Sequence, residues 1–164
     1  MTRVEDFEDI RKLKSDYFRY LDAKRWPSLR NLFHADAAFG GFPFESGNAD
    51  DFIRGVSGFL HDVDSVHQGF MPRLAVTGNG TIRGVWSMHD YLTWPRGSRN
   101  YRGASVPRLY GIRGYGFYEE EYRHLNGRWR ISAMRLVRTR IDLLAGEQVQ
   151  TPTPSLIART GLDP

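Results

Sequence analysis

The stretch TIRGVWSMHDYLTW, residues 81–94, is the clearest secondary-structure signal in the chain. Successive side chains of a β-strand point to opposite faces of the sheet, so every second residue shares a face. One face of this stretch would carry Ile82, Gly84, Trp86, Met88, Asp90 and Leu92. That face is apolar except for one aspartate, which predicts a long strand lying over a hydrophobic core.

Further strands are predicted on both sides of this one. The GNG triplet at residues 78–80 indicates a turn after the strand-like segments SVHQGF and RLAVT. Downstream, residues 110–125 predict another long strand. The Asn126-Gly127 pair then predicts a tight hairpin turn into RWRISAMRLVRTRID, residues 128–142. We therefore expect a run of long antiparallel strands from about residue 65 onward.

The first third of the chain predicts helices instead. Apolar side chains recur at spacings of three and four along residues 5–23, namely at Phe7, Ile10, Leu13, Tyr17 and Leu21. A second helix is predicted over residues 26–33, with Pro27 in its first turn, and a third begins after the capping residue Asn48. Helices followed by antiparallel strands favour an α+β fold, in which a curved sheet wraps around the helices and encloses a pocket. We expect a single domain over residues 1–164, with 145–164 as a proline-rich tail.

Composition excludes several classes of protein. The chain has 164 residues, a formal net charge of +4 and no cysteine, which rules out disulfides and thiolate chemistry. No apolar run approaches the ~20 residues that span a bilayer, and the acidic N-terminus is unlike a signal peptide. The charges are interspersed and nucleic-acid-binding motifs are absent. We expect no nucleic-acid or membrane partner, and a cytoplasmic location is the default expectation.

Two charged residues fall on strand faces that are otherwise apolar. Asp90 shares its face with Trp86 and Met88, so its carboxylate must be paired, protonated or turned toward a wet cavity. Alternation places Arg138 with Met134 and Leu136. A buried guanidinium there needs a carboxylate or an anionic substrate group, whereas at a solvated sheet edge it needs neither.

His67, in SVHQGF (residues 65–70), is the candidate general base. A catalytic histidine needs a carboxylate that fixes its tautomer, and either Asp22 or Asp90 could supply one. Asp22 ends the first predicted helix, where a carboxylate opposes the helix dipole, and Tyr17 lies on that helix's apolar face. Each residue also has a plain structural interpretation, as a packed histidine, a solvated aspartate or a core tyrosine. Spacing alone leaves these alternatives open.

Other chemical sites are poorly supported. The segment HDVDSVH, residues 61–67, resembles a metal-binding cluster, but no second cluster completes a ligand set. No serine lies in a nucleophile-elbow motif, and no glycine-rich phosphate loop follows a strand. We therefore expect neither a metal nor a cofactor.

Three stretches together resemble a known family. They are IRKLKSDYFRYLDAKRWPSLRNLFHADAAF, SVHQGFMPRLAVTGNGTIRGVWSMHDYL and GYGFYEEEYRHLNGRWRISAMRLVRTRID, and they cover most of residues 5–142. They are similar to the SnoaL-like group of the nuclear transport factor 2-like superfamily. Within it they most resemble bile acid 7α-dehydratase-like proteins, with scytalone dehydratase and hexachlorocyclohexane dehydrochlorinase as more distant relatives. The resemblance implies a conical α+β barrel around one deep pocket. His89 and the long arginine-rich loop at 95–109 depart from the family's pattern.

The resemblance also implies an activity and a set of site residues. It assigns catalytic roles to His67, Asp22, Tyr17, Asp90 and Arg138. The implied activity is a cofactor-independent dehydratase, in which His67 removes a proton next to a carbonyl and water leaves a small hydrophobic, ring-bearing substrate of polyketide or steroid type. The alternatives are an isomerase or polyketide cyclase with the same dyad, and a non-catalytic ligand-binding module. The resemblance further suggests a homo-oligomer, with a trimer as one form.

Overall fold

The protein is an α+β cone in a computed structural model that describes residues 4–78 and 80–147. Its elements, in chain order, are α1 (Val4–Asp22), α2 (Trp26–Arg30), β1 (Phe33–Gly40), α3 (Ala49–Phe59), β2 (Asp64–Val76), β3 (Ile82–Thr93), β4 (Leu109–Leu125) and β5 (Arg128–Ala145). The five strands form one sheet in the order β1-β5-β4-β3-β2, antiparallel throughout except for the β1–β5 pair. The predicted α+β class is therefore confirmed.

The strand predicted from residues 81–94 is β3, near the middle of the sheet. Its predicted inner face is buried, from Ile82 at 1% exposure to Leu92 at 1%, and it includes Asp90 at 1%. His89 points to the other face, where its ring stacks on Tyr115 with the centroids 4.9 Å apart. The alternation of the sequence therefore identified the core-facing side of the sheet correctly.

Local signals in the other predicted elements also hold. The side-chain oxygen of Asn48 accepts a hydrogen bond from the backbone N–H of Asp51 at 2.9 Å, which caps α3. Asn126 and Gly127 both have positive φ angles, 52° and 76°, as a two-residue hairpin turn requires. The loop predicted at 95–109 connects β3 to β4 over residues 94–108.

Strand β1 was not predicted and is a correction to the helical interpretation of residues 26–33. Helix α2 ends at Arg30, and the chain enters β1 at Phe33, which pairs in parallel with β5. Its register shifts between Phe33 and Ala38, and its burial does not alternate regularly. A strand that pairs with a segment about a hundred residues away leaves little local pattern, because its partner supplies its hydrogen bonds.

The predicted tail at 145–164 stays a prediction. Ala145 is the last residue of β5, and residues 148–164 lie outside the described part of the chain. Within residues 4–78 and 80–147, no helix is long and apolar enough to cross a membrane.

Candidate active site

A pocket of about 460 Å³ lies between the inner face of the sheet, α1, α3 and the β3–β4 loop. This is within the usual size range of small-molecule sites. Its walls are largely apolar and aromatic, with contributions from Leu21, Phe42, Phe44, Val56, Phe59, Leu60, Leu92, Trp94, Ile112, Leu136 and Ile141. Its polar lining includes four of the five predicted site residues, Tyr17, His67, Asp90 and Arg138. The fifth, Asp22, contacts His67 from outside the lining.

Asp22 is the carboxylate that orients His67. Its Oδ1 lies 2.6 Å from Nδ1 of His67 and accepts a hydrogen bond from the Ser65 hydroxyl at 2.8 Å, while its Oδ2 accepts from the backbone N–H of His67 at 2.9 Å. Ser65 and His67 are two residues apart on β2, so both side chains point toward the end of α1. These hydrogen bonds offset the unfavourable position of a carboxylate at a helix C-terminus.

The arrangement determines which nitrogen of His67 can act as a base. In the tautomer that satisfies the Asp22 carboxylate, Nδ1 carries the proton and donates it. Nε2 then holds the lone pair on the opposite side of the ring, and among the described residues it has no hydrogen-bond partner. The His67 side chain is only 7% exposed, so its remaining access is through the pocket that it lines.

Asp90 is paired with Arg138 rather than with His67. The two guanidinium NH groups of Arg138 donate to the two oxygens of Asp90, with Nη1–Oδ1 at 3.0 Å. Burial opposes the charge of Arg138, but the hydrogen bonds and negative charge of Asp90 outweigh it and hold the pKa of the guanidinium above its ordinary value. Asp90 is also the direct cross-strand neighbour of His67, so the ion pair and the dyad lie side by side on one sheet face.

Gly114 provides the space for this ion pair. It stands opposite Asp90 on β4, between the strands that carry the two charged partners. A β-carbon at this position would overlap both Nη1 of Arg138 and Oδ1 of Asp90. The absence of a side chain at Gly114 therefore lets the guanidinium cross β4 and reach the carboxylate.

Tyr17 and Tyr118 form a second polar element of the pocket. Their rings meet edge to face with centroids 5.9 Å apart. Burial, together with Tyr118 and the negative charge of Glu120, raises the pKa of Tyr17 well above 10. Burial raises the pKa of Tyr118 as well. Both phenols therefore keep their protons at neutral pH and can donate hydrogen bonds.

Sequence reasoning missed Tyr118 and a buried ion pair beneath the two tyrosines. Lys14 and Glu120 are 1% and 5% exposed, and the Lys14 ammonium lies 2.5 Å from Oε1 of Glu120. Two sequence signals could have identified the residues of the ion pair. Lys14 lies between Ile10 and Tyr17 on the apolar face of α1. Strand alternation separates Glu120 from the glutamates on either side of it.

The suspected metal cluster at residues 61–67 is not assembled. Asp62 forms an ion pair with Arg99, while His67 faces Asp22. Within residues 4–78 and 80–147, no three histidine, aspartate or glutamate side chains come close enough together to hold a metal ion.

Solved structures with this fold include enzymes named for elimination reactions. A hexachlorocyclohexane dehydrochlorinase matches with a TM-score of 0.75 at 18% identity, over 92% of this chain and 96% of that chain. A dehydrochlorinase of the same kind from Novosphingobium barchaimii gives 0.74 at 18% identity, over 92% and 97%. A provisionally assigned scytalone dehydratase from Novosphingobium aromaticivorans gives 0.71 at 15% identity, over 92% and 93%.

Sequence identities of 15–18% show that these proteins share a fold with this chain and no more. Membership of a family is shown instead by a match to the family's sequence profile. The profile of the SnoaL-like domain matches residues 2–135, which include α1, the whole of β2 with His67, and the first part of β5. The match confirms the resemblance drawn from the three sequence stretches. The chain therefore belongs to the SnoaL-like domain family, within the nuclear transport factor 2-like superfamily.

Proposed function

We propose that this protein is a cofactor-independent lyase that removes water from a hydrophobic, ring-bearing substrate of polyketide or steroid type. One observation carries the proposal: Asp22 holds Nδ1 of His67 at 2.6 Å, and the ring's other nitrogen, beside a largely apolar pocket, has no partner in the described part of the chain. The lyase names of structures with the same fold are consistent with it.

His67 is the general base in this mechanism. Its Nε2 takes a proton from the carbon next to the substrate carbonyl, and the electron pair of that C–H bond forms the new C=C bond. The C–O bond to the neighbouring hydroxyl breaks, and the His67 imidazolium returns its proton to the departing hydroxide, which leaves as water. The Asp22 carboxylate stabilises the imidazolium between the two transfers. General acid–base catalysis of this kind contributes ~10²–10⁴-fold to the rate.

The other polar side chains stabilise charge on the substrate. Tyr17 is protonated at neutral pH, so its hydroxyl can donate to the enolate oxygen or to the departing oxygen. Arg138 lines the pocket, and Asp90 fixes its guanidinium in two hydrogen bonds. A positive group held in this way needs little reorganisation when negative charge develops on the substrate.

The decisive experiment screens β-hydroxy ketones on fused-ring scaffolds and measures product mass. We expect products that have lost one water. His67→Ala should lower turnover at least ~10²-fold, as the loss of a general base does. His61→Ala is the matched control, since His61 is exposed and does not line the pocket. Unchanged turnover by His67→Ala would refute the base role.

The same assay separates the alternatives. Products of unchanged mass from a substrate that responds to His67→Ala would show an isomerase or cyclase built on the same dyad. Tight binding of the ring-bearing ketones without turnover of any of them would show a ligand-binding module.

We also propose that the protein forms a homo-oligomer through the outer face of its sheet. This face exposes Phe70, Val85 and Phe117 at 46%, 40% and 39%. Phe70 and Phe117 flank Ser87 in one cross-strand row. Sedimentation velocity should give a mass above that of one chain, with a trimer as the expected form, and Phe117→Lys should lower that mass. A single-chain mass for the wild-type protein would contradict the proposal.

A further inference from the structure

Three of the described arginines line the pocket, and two of them are already paired with carboxylates. Arg138 is paired with Asp90, and Arg99 donates to Asp62 and to the backbone carbonyl of Phe59. The third is Arg102. Within residues 4–78 and 80–147 it has no ion-pair partner, and its guanidinium lies 5.4 Å from the ring centroid of Tyr101.

Arg102 occupies a backbone position that does not favour arginine. Tyr101 and Ala104 exchange backbone hydrogen bonds at 3.0 and 2.9 Å, and the two residues between them form a tight turn. Arg102 and Gly103 have φ angles of 48° and 79°, the left-handed conformation at both central positions. Turns of this kind favour asparagine, aspartate or glycine, because other side chains crowd the backbone. The turn therefore does not explain why an arginine stands there.

The electrostatics of the pocket explain it better. The described lining residues include Arg99, Arg102 and Arg138 but only one carboxylate, Asp90, which is already bound to Arg138. Arg102 is exposed, so it stands at the solvent end of the pocket, whereas Asp90 is buried at its inner end. Apolar walls with a free guanidinium at the mouth suit a ligand that is apolar at one end and anionic at the other.

We propose that the substrate carries an anionic group, a carboxylate or a phosphate, which Arg102 binds at the mouth while the apolar ring system occupies the pocket. The inference rests on the proposed function only in taking this pocket as the substrate site. Arg102 acts as a specificity residue and takes no part in the proton transfers.

The test measures binding of three small probes by calorimetry at low salt and neutral pH. The probes are 2-naphthoate, 2-naphthyl phosphate and 2-acetonaphthone, which share one ring system, and the last is an uncharged analogue of the first. We expect at least one anion to bind about tenfold more tightly than the ketone, the effect of a charge-assisted hydrogen bond near the surface. The preferred anion identifies the carboxylate or the phosphate, and added salt should weaken the preference.

Substitutions then assign the preference to Arg102. Asparagine suits the left-handed turn, so the loop of Arg102→Asn should keep its conformation. The affinities of this variant for the anions and for the ketone should then lie within twofold of each other. Arg102→Lys should keep part of the preference. Arg73→Asn is the matched control, because Arg73 is exposed, outside the pocket and without an ion pair among the described residues. It should bind all three probes like the wild type.

Three results would overturn the inference: no anion preference in the wild type, an undiminished preference in Arg102→Asn, or no binding of any probe. These outcomes are independent of the chemistry proposed for His67, because they concern binding alone. If His67→Ala kept full turnover while Arg102→Asn lost the anion preference, the base role would be wrong and the assignment of Arg102 would stand.

Discussion

Two acid–base pairs connect α1 to the sheet, and they differ in whether their polar atoms all have hydrogen-bond partners. Asp22 meets His67 at the pocket, and two helical turns earlier Lys14 meets Glu120 in the core. Both oxygens of Glu120 are engaged, one by Lys14 and the other by the hydroxyl of Tyr122. In the first pair Nε2 of His67 has no partner among the described residues. We therefore propose that an unsatisfied atom beside a cavity, rather than a buried charge alone, identifies the reactive group.

The tyrosines of the pocket lie between these two pairs. The Lys14 ammonium is 4.0 Å from the ring centroid of Tyr17 and 3.8 Å from that of Tyr118, close enough for cation–π attraction. The same two tyrosines line the pocket. The core pair thus supports the rings from behind, and we expect it to contribute stability rather than chemistry.

Asp22→Asn should give the largest difference between the two pairs. An amide cannot stabilise the imidazolium and no longer selects the tautomer, so turnover should fall ~10²–10⁴-fold, or about 3–5 kcal/mol in activation free energy. The amide is nearly the same shape, so the free energy of unfolding should fall by no more than about 2 kcal/mol. Steady-state kinetics and urea unfolding give the two values. Turnover within threefold of wild type would show that Asp22 does not serve as a catalytic partner.

Lys14→Met should have the converse effect. It leaves Glu120 buried without its cation, which costs about 3–5 kcal/mol of unfolding free energy when a buried pair is broken. The double variant Lys14→Met/Glu120→Gln should recover much of this loss, because no uncompensated charge remains. The pH profile of turnover should match the wild type in the folded fraction. A changed profile with intact stability would mean that the core pair takes part in catalysis.

Gly114→Ala tests the second ion pair of the pocket. The added methyl group overlaps Arg138 and Asp90, and crowding of this kind costs about 1–3 kcal/mol. We expect lower turnover, because the guanidinium must leave its position at the pocket. Gly58→Ala is the control: Gly58 lies in α3 with open space around it, and alanine there should leave turnover unchanged and stability equal or higher. Wild-type turnover by Gly114→Ala would show that the Arg138–Asp90 pair takes no part in the reaction.

The dependence of stability on alkaline pH reports on both regions together, and the change that a single tyrosine substitution makes in it is the smallest expected effect. The pKa values of Tyr17, Tyr118 and Tyr122 are raised by burial, so above pH 10 the folded state keeps protons that the unfolded state releases. Stability should therefore fall as pH rises from about 10, by up to about 1.4 kcal/mol per pH unit for each tyrosine.

Lys14 has the opposite effect on the free energy of unfolding as pH rises. Burial lowers its pKa, so its contribution to stability rises with pH up to the ordinary lysine value of 10.5 and then levels off. Above pH 10.5, therefore, the fall in stability with pH reports on the tyrosines without an opposing contribution from Lys14. Tyr17→Phe should reduce the slope by one residue's share, as followed by circular dichroism in urea. An unchanged slope would show that the Tyr17 phenol is not shielded.

Much of the fold could be predicted because its signals are local. Alternation in β3, the apolar spacing of α1, the Asn48 cap and the Asn126-Gly127 turn each depend on a few neighbouring residues, and each was confirmed. Strand β1 could not be predicted, since its partner is remote in sequence. Local patterns could have shown that Lys14 and Glu120 each face the core, but not that they pair, because they are 106 residues apart.

For the candidate site, the sequence by itself determined the residue types and, for some residues, the face of the element on which they lie. Asp90 and Arg138 were placed correctly on inward strand faces, because side-chain direction follows from backbone periodicity. His67 was identified by its residue type and by the family resemblance, without a predicted face. Tertiary structure alone decided the pairing. Asp22 binds His67, Asp90 binds Arg138 across Gly114, and Arg102 remains unpaired among the described residues. Charge pairing depends on distances of a few ångströms between segments far apart in the chain, and only the curvature and register of the sheet set those distances.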